Sequence, residues 1–204
     1  MDKNYKEIIK KEYLRCAADP IYFLKKYSFI QHPIKGKIPF ALYDFQEKTL
    51  EQFSQNKLNV ILKARQLGIS TLTAGYSLWM MTFHQDKNVL VIATKQDTAK
   101  NLVTKVRVMH ANLPSWLKQK CVEDNKLSLR YKNGSQIKAV SSGDDSGRSE
   151  ALSLLILDEA AFIDKIDLIW AAASQTLSTG GQCISLSTPN GVGNWFHKTW
   201  SDSE

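Results

Sequence analysis

The sequence predicts an α/β domain of three layers, with a mostly parallel central sheet and helices on both faces. The first observation is a set of short, almost wholly apolar runs: NVIL at 59–62, SLLIL at 153–157, VLVIA at 89–93 and CISLS at 183–187. Runs of this kind are strands buried on both faces. The second is that amphipathic, helix-length segments separate them, as crossover connections require. The third is that four polar segments, KARQLGIS, TKQD, DEAAF and STPNG, each follow one of these runs. Ligand sites of parallel sheets lie beyond the carboxyl ends of the strands.

The elements follow in order. Residues 2–16 repeat apolar positions at helical spacing. Asp19-Pro20 starts a short helix over 20–26, with Asp19 as N-cap. Pro33, Gly36 and Pro39 punctuate a loop over 31–39. Asp44 caps a helix over 44–55, with Glu47 completing a capping box. After the strand at 59–62 and the loop KARQLGIS, a helix runs over about 70–83. Thr94 caps a helix reaching about Asn112, with Leu102, Val103, Val106 and Met109 on one face. A short helix is expected over 114–120. Segments 127–131 and 135–140 alternate around Asn133-Gly134, a strong hairpin signal. Residues 166–177 are helical, and a last helix begins at 195–200.

With 204 residues, the chain is long enough for one such domain and too short for two catalytic ones. A hydrophobic fraction of 43% fills a core and argues against disorder. No apolar run approaches the ~20 residues of a membrane span. The N-terminal MDKNYKEIIKKEYLR has no apolar signal core, so export is not expected. Cys16, Cys121 and Cys183 are odd in number, widely spaced and lack zinc-site spacing, which reads as reduced thiols. Charge is uneven. Residues 87–138 carry 11 basic and 3 acidic side chains, whereas 139–204 carry 3 basic and 9 acidic. A polyanion is the candidate partner of the basic middle, through residues such as Lys100, Lys105, Arg107 and Lys132, and a divalent metal that of the acidic end.

Residues 63–70, Lys-Ala-Arg-Gln-Leu-Gly-Ile-Ser, stand where a phosphate loop G-x-x-x-x-G-K-[ST] belongs, after a strand and before a helix. Gly68 and Ser70 match. The first glycine is replaced by Lys63, and Ile69 stands where the lysine is usual. The backbone N–H groups of Gln66, Leu67, Gly68, Ile69, Ser70 and Thr71 can still cradle phosphates. Ser70 can ligate Mg²⁺, and Lys63 or Arg65 can bring a cation from the other end of the loop. The apolar run at 154–157 ends in Asp158-Glu159. Two adjacent carboxylates there are costly to bury without a metal or cation; the first fits an Mg²⁺ shell and the second a base for water. In the segment 185–191, hydroxyls and the Asn190 amide suit a γ-phosphate sensor, within what is also a simple Pro-Asn-Gly turn.

The set FALYDFQ, KARQLGIST, SGRS, LLILDEAAFID and STPNG, in this order and spacing, resembles the ATPase half of the terminase large subunit of tailed bacteriophages, a DNA-packaging motor. The resemblance runs from about Asp19 to the end. It implies a P-loop NTPase of the additional-strand, catalytic-glutamate (ASCE) class, RecA-like in fold, with residues 1–43 as an N-terminal helical extension and loop and 44–204 as the ATPase core. It implies ATP and Mg²⁺ as cofactors, phosphate binding and γ-phosphate sensing by Lys63 and Arg65, and Mg²⁺ ligation by Ser70 and Asp158. Glu159 would be the catalytic base. Gln46 resembles the adenine-reading glutamine, and Tyr43 could stack on the base. Thr188 and Asn190 fall in a segment resembling the motif that couples hydrolysis to movement. Arg148, in Ser146-Gly147-Arg148-Ser149, would act in trans on a neighbour's ATP. The implied partners are double-stranded DNA, a small terminase subunit, a portal protein and further copies in a ring, with no membrane, in the cytoplasm of an infected host. The resemblance also implies a lid and a nuclease domain after the coupling motif. Only Asp202 and Glu204 follow Asn190 as acids, so no nuclease activity is expected of these residues, and the sequence reads as a fragment or split product. The residues themselves leave open a helicase-like DNA-dependent ATPase, or a nucleotide- or DNA-binding fragment without turnover.

Overall fold

The computed structural model describes residues 3–142, 151–178 and 180–203. Its centre is a sheet of seven strands in the order β3-β9-β8-β4-β7-β6-β5. Five of them, β3 (Leu58–Leu62), β9 (Gln182–Ser187), β8 (Leu154–Asp158), β4 (Asn88–Ala93) and β7 (Gln136–Ser141), pair in parallel. The last two strands, β6 (Ser128–Tyr131) and β5 (Cys121–Asp124) at the edge, are antiparallel. Alternate residues of the buried strands face two separate cores. Val89, Val91, Leu154, Ile156 and Ile184 pack with the helices on one side. Leu90, Ile92, Leu155, Leu157 and Cys183 pack with α6 (Ile166–Leu177) and α7 (Trp195–Ser201) on the other. The three predicted layers are thus present, and no helix of the described residues is long and apolar enough to cross a membrane.

The first layer holds α4 (Ile69–Phe83) and α5 (Gln96–Ala111), with α1 (Lys3–Ala18), α2 (Pro20–Tyr27) and α3 (Asp44–Gln55) laid over them. Asp19 caps α2 as expected, its Oδ1 accepting from the N–H groups of Ile21 and Tyr22 at 2.8 and 3.0 Å. Glu12 accepts from Tyr22, Lys26 and Tyr27, each at 2.7 Å, tying α1 to α2. Those bonds, that from Lys26 foremost, bring the Glu12 carboxyl down to about 2. Leu24 of α2 lies so close to α4 that a Cβ on Gly75 would sit 2.9 Å from its Cδ2. The residues before position 44 therefore share the main core; Cys16, Phe23, Leu24 and Phe40 are all buried in it.

Four local expectations change. The expected loop at 31–39 lies largely within a hairpin, β1 (Phe29–His32) with β2 (Gly36–Pro39) around a turn at 33–35, whose four-residue strands are too short to show a period. Helix α3 is not capped by Asp44: Tyr43 is the N-cap residue, and Gln46, not Glu47, accepts the Tyr43 N–H at 3.1 Å. Lys95, not Thr94, precedes α5. Residues 114–120 form a turn and an extended segment in place of a helix. There Gln119 donates to the Thr82 carbonyl at 2.9 Å, and its own carbonyl lies 2.9 Å from His110 Nε2, which draws the chain out toward β5.

Candidate active site

Strand order and register assemble the site. Because β9 lies between β3 and β8, the ends of three strands meet: Leu62 is level with Ser187, and Asp158 with Leu186. The next residue of each strand is then a functional candidate, namely Lys63, Thr188 and Glu159. The Lys63 N–H extends the ladder to the Ser187 carbonyl at 3.0 Å.

Between β3 and α4 the chain forms the loop that the motif KARQLGIS anticipates. Gly68 precedes α4 with φ of 72°, and a Cβ there would lie 2.7 Å from Gln46 Nε2. Both the left-handed backbone and the close approach favour glycine. Gln46 is buried at 3% exposure, and its amide is used at both ends: Oε1 holds the start of α3 and Nε2 donates to the Leu67 carbonyl at 2.9 Å. It fastens the phosphate loop to α3. Tyr43, 68% exposed, stacks on Phe45 with ring centroids 5.8 Å apart and is not among the residues that line the cleft.

The cleft has a volume of about 630 Å³ and is lined by the loop from Lys63 to Thr71, by Thr94 and Lys105, and by Glu159, Phe162 and Thr188. Ile69 and Ser70 open the helix; Ile69 is 3% exposed and packs in the main core. Arg65, Gln66 and Leu67 are exposed at its rim.

Two adjacent carboxylates take different environments. In an unbroken strand their side chains would point to opposite faces. Glu159, however, has φ of 55°, and this left-handed turn ends β8 and starts the short 3-10 helix Ala160–Phe162. Asp158 accepts from Ser70 Oγ at 3.3 Å. Glu159 Oε1 accepts from Lys63 Nζ at 2.7 Å, while Oε2 accepts from Thr188 N–H at 3.3 Å and Thr188 Oγ1 at 3.1 Å. Burial pushes the Asp158 carboxyl above its ordinary range, against the pull of Lys63. Burial acts the same way on Glu159, but bonds from Lys63 and Thr188 outweigh it and hold that carboxyl below its ordinary value.

The segment after β9 buttresses this turn. Ser187 Oγ accepts the Ala161 N–H at 3.1 Å, and Asn190 Nδ2 donates to the Ala161 carbonyl at 2.9 Å. Asn190 thus faces the 3-10 helix, outside the phosphate cleft. Arg148 lies outside the described residues. Among the cleft residues not expected there from the sequence are Phe162, Thr94, read as a helix cap in the TKQD segment that follows β4, and Lys105, read as a polyanion contact of the basic middle. Desolvation lowers the Lys105 pKa, opposed by the charge of Asp158. Arg107 of the same basic stretch is held by Asp124 at 2.6 Å and by the Asn125 carbonyl.

Hard oxygen donors at Ser70 and Asp158, beside a cradle of backbone N–H groups, suit Mg²⁺ carried by a nucleotide, which needs few protein ligands. Among the described residues no cluster of three His, Cys, Asp or Glu side chains could hold a metal by itself.

The fold has counterparts among solved structures. The ATPase domain of the Thermus phage P74-26 large terminase superimposes with a TM-score of 0.64 at 25% identity, covering 78% of this chain and 69% of that one. The HK97 bacteriophage large terminase gives 0.74 at 20% identity over 92% of this chain, which spans 40% of that protein. The large terminase of a thermophilic bacteriophage, in complex with ADP, gives 0.63 at 15% identity, covering 80% of this chain and 42% of that one. The family model for the T4likevirus-type terminase large subunit, N-terminal part, matches residues 60–203, and the chain therefore belongs to the terminase large-subunit family.

Proposed function

We propose that this chain hydrolyses ATP and that hydrolysis powers translocation of double-stranded viral DNA into a procapsid. The observation that carries the reading is the convergence of Lys63, Glu159 and Thr188 at three adjacent strand ends, over a loop that opens a helix. Membership of the terminase family supports it, as does the ADP complex of the thermophilic phage's terminase.

The backbone N–H groups from Gln66 to Thr71 and the N-terminus of α4 bind the phosphates. Ser70 and Asp158 would hold Mg²⁺, which would neutralise charge on the phosphate oxygens. Lys63, bonded to Glu159 in the structure, exchanges that carboxylate for phosphate oxygen when the nucleotide enters. This frees one oxygen of Glu159, and a carboxylate released from its ammonium is the stronger base. Glu159 then takes a proton from the attacking water. Thr188 holds the other oxygen, so that hydrolysis is felt by β9 and, through Asn190 and Ala161, by the segment after it. Arg65 at the rim meets charge that develops on the γ-phosphate. Arg148 keeps the role the resemblance gives it, charge supplied to a neighbouring subunit's ATP. Small terminase subunit, portal, ring assembly and a place in the host cytoplasm belong to this reading. DNA contact rests on exposed cations such as Lys132.

The test is phosphate release from Mg-ATP by the purified chain and its Glu159→Gln variant. The variant keeps the shape of the side chain but accepts no proton, so turnover falls about 10²–10⁴-fold while ATP binding persists. Equal turnover in the two proteins removes Glu159 from the role. Absence of nucleotide binding by the parent overturns the reading.

A further inference from the structure

Helix α5 carries a lysine that the motif does not account for. Asn101, Thr104, Lys105 and Val108 recur at the i, i+3, i+4, i+7 spacing of a single helix face. All four line a groove of about 440 Å³ between α5 and the β1 hairpin. That groove is continuous with the phosphate cleft, and only Thr71 and Lys105 line both. Thr71 stands in the first turn of α4. Lys105 therefore stands beside the first turn of the phosphate-binding helix, in the cleft that Lys63 and Glu159 also line.

We propose that Lys105 binds the polyphosphate of the nucleotide, supplying from α5 the ammonium that the phosphate loop lacks at Ile69. The inference rests on the nucleotide-binding reading and deepens it. Ile69 cannot be adapted to that duty, because its side chain is buried in the core. Lys63 comes from the other end of the loop and must leave Glu159, to which it is bonded at 2.7 Å, to reach the phosphates, whereas Lys105 has no such bond to give up. Lys105 is half-buried, yet its ammonium makes no hydrogen bond or ion pair among the described residues. Taking an ammonium out of water without a partner is unfavourable. An anion entering the cleft removes that penalty and gains a charge-assisted bond, so the site is built to be completed by its ligand. The same burial argues against a DNA contact, since a duplex backbone needs cations that project from the surface.

The experiment measures affinities for ATP, ADP and AMP with Mg²⁺ present, in the parent chain, Lys105→Met, Lys105→Arg and the exposed control Lys10→Ala. Lys105→Gln repeats the neutral variant with a polar side chain, so that a folding defect in one does not decide the outcome. Loss of a charge-assisted bond weakens ATP binding about tenfold or more. ADP binding falls less and AMP binding is nearly unchanged, because the effect follows the number of phosphates. Lys105→Arg recovers part of the loss, and Lys10→Ala shows none. Equal weakening for all three nucleotides makes Lys105 a packing residue and overturns the inference. Unchanged ATP affinity with weakened binding to a DNA duplex overturns it in favour of a DNA contact. A parent chain that binds no nucleotide defeats the functional reading itself, whereas a parent that binds ATP and a Met variant that binds it equally well defeat this inference alone.

Discussion

In the parallel half of the sheet, β3, β9 and β8 end in polar groups bonded mainly to one another, Lys63 to Glu159 and Glu159 to Thr188. In the antiparallel half, polar groups serve the turn and edge where they stand. Asn133 donates to the Met81 carbonyl at 2.9 Å, Ser135 to the His84 carbonyl at 2.8 Å, and Arg107 ties α5 to Asp124 of β5. Left-handed backbone occurs in both halves, and also at Lys165 before α6. Near the hairpin it falls on Asp86 and Gly134, residue types that adopt it readily. At the cleft it falls on Gln66 and Glu159, where it costs about 1 kcal/mol or more each. One half is arranged for stability, and the other accepts strain and close-set charge to keep a site open to ligand.

Substitutions can break that contrast. Lys63→Ala is expected to lower ATP turnover about 10²-fold, because it removes the loop cation and the partner of Glu159 together. Ile69→Ala, later in the same motif at the start of α4, should cost about 2–4 kcal/mol of stability and leave turnover per folded molecule little changed. Steady-state kinetics corrected for folded fraction would decide. A larger loss of turnover at Ile69 than at Lys63 would mean that the cation does not come from the start of the loop.

A change in the antiparallel half should do the reverse. Leu129 is fully buried in β6. Leu129→Ala should cost about 2–4 kcal/mol, a fall in melting temperature of roughly 5–15 °C for a chain of this size. Nucleotide affinity of the folded protein should stay as it was. If affinity falls in parallel with stability, the two halves form one energetic unit and the contrast fails.

The same division explains what could be read from the sequence. The central parallel strands β4, β8 and β9 are buried on both faces and announce themselves as apolar runs, whereas the equally apolar β3 is an edge strand with exposed ends. Lys63, Glu159 and Thr188 are the residues that follow β3, β8 and β9 in the sequence. Helix α6 matches its expected span of 166–177 because its Ile and Leu spacing is regular. The hairpin at Asn133-Gly134 is marked by its turn chemistry. By contrast, β5 has one partly buried residue in four and exists through its pairing with β6, which no local pattern encodes. The two-ended bond of Gln46 needs the meeting of α3 with a loop 21 residues away. Thr94 was legible as a polar residue after a strand, but its choice of the cleft over a helix cap was not. Lys105 was legible only as one cation of the basic middle, because what sets it apart from its neighbouring lysines is the hairpin laid across α5.

The smallest expected effect separates the two acids themselves. Asp158 is a carboxylate whose pKa is raised by burial, so the folded protein holds its proton more tightly than the unfolded chain. By linkage, its ionisation opposes folding above the raised value, and the penalty disappears as pH falls below the ordinary 3.8. Glu159 is lowered, so its ionised form supports folding above its ordinary 4.5, and that support is lost as pH falls through the depressed value. Neighbours in sequence thus have opposite slopes. Without nucleotide, Asp158→Asn should raise stability at neutral pH by about 0.5–2 kcal/mol, as removal of a functional charge often does. The amide oxygen can still accept from Ser70. The gain should shrink to nothing in acid, while Mg²⁺-dependent ATP binding is lost at every pH. Glu159→Gln should lower stability at neutral pH, with its deficit closing only in stronger acid. Melting curves of the parent and both variants across the acid range supply the check. A destabilised Asp158→Asn protein at neutral pH would mean that Ser70, Lys63 and Lys105 more than compensate the burial of that carboxylate. The strand end would then be a structural ion cluster, stable by itself, and no longer a site whose charge balance is completed by a bound metal and phosphate.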